Sequence, residues 1–220
     1  MKKDNIEIAI VSLNSQKYNF LQIVNGNPTK LLFNEWFVQC HNFIGDFSMV
    51  KRAFDNKWNF VDKKGKYLSS IWFDRCDFFE GEYARVFIQG KCNWLKTDGS
   101  LLSPNQWFTA CNVFYNGYSV VVIENKSFNL VDTNGNLAWS INEGEEYESM
   151  CHYSSNGLIK VSKRINGLRK YNYIDINRKP LLKEWVDGCW DEFVDGKSKI
   201  SIWLDTYDID INGNILGRDE

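Results

Sequence analysis

The sequence is short of net charge, of histidine and of long apolar runs, and each shortage excludes something. Formal charge is −2, so the chain as a whole lacks the basic field that nucleic acids and anionic membrane surfaces require. No stretch approaches the roughly 18 apolar residues of a membrane span. Near the start, Asp4 and Glu7 interrupt the apolar stretch, and only Ile8 to Val11 run without a polar residue. A secretory signal needs roughly 7–15 apolar residues. The segment therefore reads as a first strand, with Ile6, Ile8 and Ile10 on one face. The expected location is the reducing cytoplasm, where the six cysteines stay free of disulfides. Two histidines, His41 and His152, give little support to nucleophilic catalysis with a His base. No Gly-rich phosphate loop and no Gly-x-Ser-x-Gly elbow is present.

What is there is a core-forming chain. Apolar residues make up 44% and charged residues 25%, which excludes wholesale disorder. The length of 220 residues fits one domain or a short repeat array. Aromatics at 15%, nine of them Trp, against three Pro favour strands.

A period runs through the chain. Cys40, Cys76, Cys111, Cys151 and Cys189 are spaced by 36, 35, 40 and 38 residues. A Trp stands four residues before four of them (Trp36, Trp72, Trp107, Trp185), and Tyr147 takes that place before Cys151. A second marker agrees: Asn19, Asn59, Asn93, Asn129 and Asn172 recur between apolar residues, usually ahead of Asp-x-x-Gly. The clearest copies are WNFVDKKGK at 58–66 and FNLVDTNGN at 128–136, with a degenerate YDIDINGN at 207–214. Asp at the head of such a turn bonds its own backbone, and Gly takes the conformation that closes it. Two markers with one period define six units of about 36 residues: 5–45, 46–81, 82–117, 118–156, 157–196 and 197–220.

Rows read across the units predict their packing. Positions flanking the Asn hold Tyr18, Trp58, Cys92, Phe128, Tyr171 and Thr206 before it, and Phe20, Phe60, Trp94, Leu130, Tyr173 and Asp208 after it. Two residues after it stand Leu21, Val61, Leu95, Val131, Ile174 and Ile209. Strand side chains alternate faces, so both faces are apolar and both need cover. The expected fold is all-β: six tandem three- to four-stranded antiparallel β repeats in a single domain, closed as a small β-propeller or left as an open curved β-repeat array.

At this point the sequence resembles the WG-repeat family of bacterial proteins. The second unit carries the likeness, from Lys57-Trp58-Asn59-Phe60-Val61-Asp62 to Gly65, and from Phe73-Asp74 through Phe78, Gly81 and Ala84 to Val86. Asn stands where that family has Gly. It marks either a left-handed bulge in each strand or an amide that bonds the backbone of the next unit. The resemblance implies a β-repeat protein used for binding and brings no catalytic residues.

The recurring residues have structural readings. A Cys at one site of every unit fills a recurring core space, and Cys92 lies in an aromatic core row. Zinc would require Cys40-His41 and Cys151-His152 to meet from units three apart. The Asp-x-Asn-Gly turns at Asp132 and Asp210 place Gly too early for a calcium loop. No cofactor and no metal are expected. Function is sought where copies differ. The fourth unit has an acidic connection, with Glu143, Glu145, Glu146 and Glu148. The fifth has a basic hairpin, with Lys160, Lys163, Arg164, Arg169 and Lys170. The sixth has Trp190 where His41, Asp77, Asn112 and His152 stand, and Trp203 where Asp55, Gln89 and Asn125 stand, with Leu168 sharing that row. Trp and Arg are enriched in interface hot spots. The expected function is a non-enzymatic module that engages a protein partner through units four to six. The alternative is a glycan-binding module that stacks sugars on Trp190 and Trp203. The third reading is an enzyme with a central-channel site. Nucleic acid and membrane are not expected partners.

Overall fold

The computed structural model describes residues 5–124, 127–141, 146–154, 156–190 and 192–218. Glu143 and Glu145 lie outside the described residues. The described residues contain no α-helix, and no helix is long and apolar enough to cross a membrane. All the strand pairs are antiparallel, and they fall into six repeats. The first holds β1 (Ile6–Asn14), β2 (Lys17–Val24) and β3 (Asn27–Leu31). The second holds β4 (Phe37–Cys40), β5 (Phe47–Arg52) and β6 (Trp58–Asp62), and the third β7 (Arg75–Cys76), β8 (Tyr83–Ile88) and β9 (Lys91–Lys96). The fourth holds β10 (Ala110–Cys111), β11 (Tyr118–Val122) and β12 (Phe128–Asp132), and the fifth β13 (Ser149–Tyr153), β14 (Ile159–Ile165) and β15 (Leu168–Ile174). The sixth holds β16 (Gly188–Cys189), β17 (Lys197–Ile202), β18 (Asp205–Asp210) and β19 (Ile215–Arg218). The chain forms two compact units, 1–107 and 108–220, each with three repeats.

Register reproduces the sequence rows. Val50, Val86, Val121 and Val161 stand opposite Asn59, Asn93, Asn129 and Asn172, and Ile200 stands opposite Tyr207. Both faces of the Asn strands are covered. Phe20, Phe60, Trp94, Leu130 and Tyr173 are buried on one face, and Val61, Leu95, Val131, Ile174 and Ile209 on the other. The packing rule is visible inside each unit. In unit 1–107, Phe20 and Phe37 meet Val50 and Val61, and Phe60 and Phe73 meet Val86 and Leu95. In unit 108–220, Leu130 and Tyr147 meet Val161 and Ile174, and Tyr173 meets Ile200 and Ile209. Within each unit, one face of a sheet thus packs on the opposite face of the next. Each fully buried aromatic or aliphatic side chain contributes about 1.5–3 kcal/mol.

The recurring Asn is an amide clamp. All five are fully buried, and none has the left-handed backbone of a bulge. Asn93 Nδ2 donates to the carbonyls of Ser103 at 2.7 Å and Gln106 at 2.9 Å. Its Oδ1 accepts from the backbone N–H groups of Trp94 at 2.8 Å and Ser103 at 3.3 Å. Asn59 does the same for Ser69, Ile71 and Phe60, and Asn172 for Leu182, Glu184 and Tyr173. Neither expected role is the one observed: there is no left-handed bulge, and the amide bonds not the next unit but its own unit's backbone, ten to thirteen residues on, where the chain leaves its hairpin. The third strand differs from expectation. In the middle repeats it shrinks to one bridge, such as Val61 to Tyr67 or Leu95 to Leu101, because the hairpin turn opens at the very next residue, Asp62 or Lys96. Full third strands remain only in the first and last repeats, as β3 and β19.

The Asp-x-x-Gly turns form as expected. Asp62 Oδ1 accepts from the N–H of Lys64 at 2.9 Å and of Lys66 at 2.8 Å, and Asp132, Asp175 and Asp210 repeat the pattern. The glycine does more than close the turn. Gly99, at φ +86°, would place a Cβ 2.1 Å from the carbonyl oxygen of Leu68 in the preceding repeat. Successive turns therefore approach to backbone distance.

Two readings of the cysteines change. Met150, not Cys151, stands opposite Val161, so the fourth-to-fifth connection enters its strand one residue early. Tyr147 accordingly fills the buried row of Phe37, Phe73 and Phe108 and not the Trp row. His152 also leaves the row of His41, because Cys151 follows the row residue. In addition, only Cys40, Cys76, Cys151 and Cys189 are free thiols. Cys92 and Cys111 are disulfide-bonded, against the expectation for all six. Spacing along a chain carries no information on how closely two sulfurs approach. Burial pushes the thiols of Cys40 and Cys189 up to about 12 and raises that of Cys76, so they stay protonated at neutral pH.

Removing the clamp leaves buried carbonyls without a donor. Asn93→Ala is expected to lower stability by about 2–3 kcal/mol. Gly99→Ala should cost at least about 1–2 kcal/mol from its left-handed backbone, with the approach to Leu68 adding to it. Thermal melting checks both, and a wild-type melting temperature for either variant contradicts this account.

Candidate binding surface

The acidic and basic departures meet in unit 108–220. Pairing of β13 with β14 sets Ser149 opposite Ser162, which carries Glu148 to the basic hairpin. Glu148 Oε1 accepts from Arg164 Nε at 2.6 Å, and Oε2 accepts from Arg169 Nε at 3.0 Å. Arg164 Nη1 also donates to the carbonyl of Gly167 at 2.9 Å. Lys163 Nζ lies 3.2 Å from Glu146 Oε2 and 4.3 Å from the centre of the Trp185 ring. Lys160 Nζ lies 5.6 Å from the Tyr171 ring centre. These charges largely answer one another. The hydrogen bonds from Arg164 and then Arg169 hold the Glu148 carboxyl below its ordinary value.

The patch extends to the last repeat. Lys170 Nζ donates to Asp187 Oδ1 at 2.5 Å, and Asp187 Oδ2 accepts from the backbone N–H of Trp203 at 2.7 Å. These bonds, Lys170's first, lower the pKa of Asp187. Trp203 and Leu204 form the two-residue turn between Ile202 and Asp205. The corresponding turns are Gln89-Gly90 and Asn166-Gly167, and their residues all have positive φ. Trp203 therefore aligns with Asn166 and Gln89. Leu168, which the sequence rows placed beside it, begins β15 just past that turn. Asn and Gly suit such turns because they tolerate left-handed backbone. Trp203 adopts φ 58° and is 88% exposed, while Leu204 is 101% exposed. Leu168 adds a third exposed apolar side chain on the fifth repeat's hairpin tip.

Trp190 lies elsewhere. Its N–H donates to the carbonyl of Lys199, four residues back along β17 from Trp203, or roughly 13 Å of strand. The structure does not bring the two Trp together. Trp190 is 47% exposed and borders a shallow groove of about 270 Å³ with Glu192, Val194, Lys197, Lys199 and Asp208. Beside it, His152 Nε2 lies 2.9 Å from Glu192 Oε1, and Tyr115 packs edge-on against the His152 ring at 4.6 Å. Sequence reasoning passed over Asp187, Leu204, Glu192 and Tyr115. Leu204 had a visible signal, the loss of Asn-Gly chemistry from its turn, whereas the other three depend on strand register. Among the described residues, no group of three or more His, Cys, Asp or Glu side chains is placed to hold a metal ion.

No protein-family model matches the chain, and no curated protein matches it. Solved structures do. A eukaryotic initiation factor superimposes with a TM-score of 0.54 at 14% identity, over 98% of this chain and 64% of that one. This chain therefore spans less than two thirds of the initiation-factor chain. BamB from Moraxella catarrhalis (TM-score 0.39, 9% identity, 96% of this chain and 75% of that one) and YCF48 bound to D1 peptide (TM-score 0.42, 12% identity, 98% and 83%) superimpose more loosely. Likeness at these identities concerns fold alone, and the last two are too distant to carry an argument.

Two measurements probe the surface without a ligand. Trp203→Asn should stabilise the protein by about 1 kcal/mol, because Asn tolerates the left-handed turn that Trp strains. A loss of stability in thermal melting contradicts that. Glu148 has a folded pKa below its ordinary 4.5, so its stabilisation is present above that value and fades as pH falls through the lowered one. Wild type should exceed Glu148→Gln in melting temperature at pH 7, and the gap should close on acidification towards pH 3. A gap that does not depend on pH contradicts the clamp.

Proposed function

We propose that this chain is a non-enzymatic β-repeat module of WG-repeat type that binds a protein partner through the hairpin tips of its fifth and sixth repeats. The observation that carries the reading is the Trp203-Leu204 tip. Two large apolar side chains stand in solvent on a turn whose first residue, Trp203, is left-handed, a position that folding alone gives to Asn or Gly. Strain of this kind costs on the order of 1–3 kcal/mol and concentrates at functional positions. A flexible Lys side chain would keep the tip soluble, whereas an exposed Trp beside Leu presents a rigid apolar anchor of the type that dominates interface energy. The Glu148-Arg164-Arg169 and Lys170-Asp187 pairs frame that anchor with fixed polar groups, which set orientation and partner choice more than affinity.

The second reading, sugar binding, is favoured at Trp190. An exposed indole beside a groove with Glu192, Lys199 and Asp208 combines a stacking face with polar groups that can take up hydroxyls.

Affinity capture with wild type and with a Trp203→Asn, Leu204→Ser double variant tests the main reading. A partner retained by wild type should be lost from the variant, with affinity reduced at least about 30-fold, the loss of one hot spot of about 2 kcal/mol. Lys163→Glu with Arg164→Glu and Arg169→Glu should also weaken it. A partner bound equally by all variants contradicts the tip surface. A glycan-array signal that Trp190→Ala abolishes would favour sugar binding instead.

A further inference from the structure

Unit 108–220 accounts for none of the features of a cleft in unit 1–107. Its floor is the face of the first repeat, with Ile6, Ile8 and Leu32, and Phe43 forms a wall. The cleft has a volume of about 500 Å³. Three lysines, Lys30, Lys63 and Lys64, line its rim, and no carboxylate does. Lys63 has one distant counter-charge, Asp46 at 3.6 Å between exposed groups. Among the described residues, Lys30 and Lys64 form no ion pair. The rim is therefore net cationic, with Asp46 beside Lys63 as its one counter-charge among the described residues, unlike the basic hairpin of the fifth repeat.

A second observation lies alongside it. Strand β1 ends its sheet, and among the described residues its ladder partner is β2 alone. Edge strands are usually guarded by Lys, Pro or shortness, because their unpaired N–H and C=O groups template another chain. Strand β1 is nine residues long, reads IEIAIVSLN, and carries neither Lys nor Pro. Its single charge, Glu7, alternates to the face away from Ile6 and Ile8. Ile6 itself is 57% exposed.

We infer that unit 1–107 binds an extended acidic segment of a partner protein by strand addition to β1. The backbone of the segment pairs with the free edge. Alternate apolar side chains enter the cleft over Ile6, Ile8 and Phe43, and its carboxylates meet Lys30, Lys63 and Lys64. Edge pairing supplies affinity in such modes, and pockets for alternate side chains supply specificity. The edge favours a peptide over a lipid, which has no use for a row of amides. The rim favours an acidic peptide over a neutral or basic one, because three ammonium groups would otherwise be left uncompensated or opposed.

The probe is a short fluorescent peptide alternating Glu with Val, compared with its counterpart in which Lys replaces Glu. Anisotropy should show that the Glu peptide binds and the Lys peptide does not, with affinity falling as salt rises. Lys63→Glu with Lys64→Glu should weaken binding at least about tenfold. Both lie on an exposed turn, so the variant should melt as wild type does. Bound peptide should also slow hydrogen exchange in β1. Any of four results overturns the inference: no binding at about 1 mM peptide, equal binding of both peptides, an unaffected lysine variant, or unchanged exchange in β1. Self-association of the protein in place of peptide binding, abolished by the lysine variant, would make a second copy the occupant and overturn it as well.

Discussion

A buried side-chain amide holds each of the first five repeats to the chain that leaves it. Asparagine is the residue that can do this at such a site. It offers two donors and an acceptor with two lone pairs on a stem short enough to stay within the strand. Asn93 uses both donors and accepts twice. A buried amide left unpaired costs free energy, and one fully paired in a low-dielectric site specifies a single backbone path. The consequence is geometric. The amide holds the backbone after the hairpin turn, where the chain turns towards the next sheet. The apolar rows then follow: Phe60 meets Val86 and Leu95, and Tyr173 meets Ile200 and Ile209.

The last repeat shows what happens when the device is dropped. Tyr207 replaces the Asn opposite Ile200, and Lys199 faces Asp208 where the second and fourth repeats pair Met49 with Phe60 and Val120 with Leu130, and the third and fifth set Arg85 and Lys160 against Trp94 and Tyr173. The sixth repeat also carries two exposed indoles, Trp190 on the groove and Trp203 on the turn. On the proposed function, folding and recognition occupy different residues of the same small sheets: inward rows for one, hairpin tips and edges for the other.

Much of this was legible in the sequence because a repeat states its rules several times. The Asn and Asp-x-x-Gly rows gave the strands, the turns and the two buried faces, and their register is the one observed. The role of the Asn was not legible. A left-handed bulge and a backbone clamp demand the same residue type, and only the path of the following chain separates them. The entry to the fifth repeat departs from the row because Met150 and Cys151 are adjacent and both apolar, so the recurring Cys points to the wrong neighbour. For the candidate surface, the odd residues were visible as departures from the pattern, but their relations were not. That Glu148 reaches Arg164 and Arg169, and that Trp190 and Trp203 stand apart, follows from strand pairing across tens of residues.

The central claim is that the amides of Asn19, Asn59, Asn93, Asn129 and Asn172 are buried and fully engaged. Nuclear magnetic resonance of their side-chain Nδ2 protons measures this directly. Engaged amides should give five resolved pairs whose hydrogen exchange is slowed to the rate of the surrounding core backbone. Exchange as fast as that of the exposed Asn27 would contradict the account, since nothing would then direct the chain from one sheet to the next.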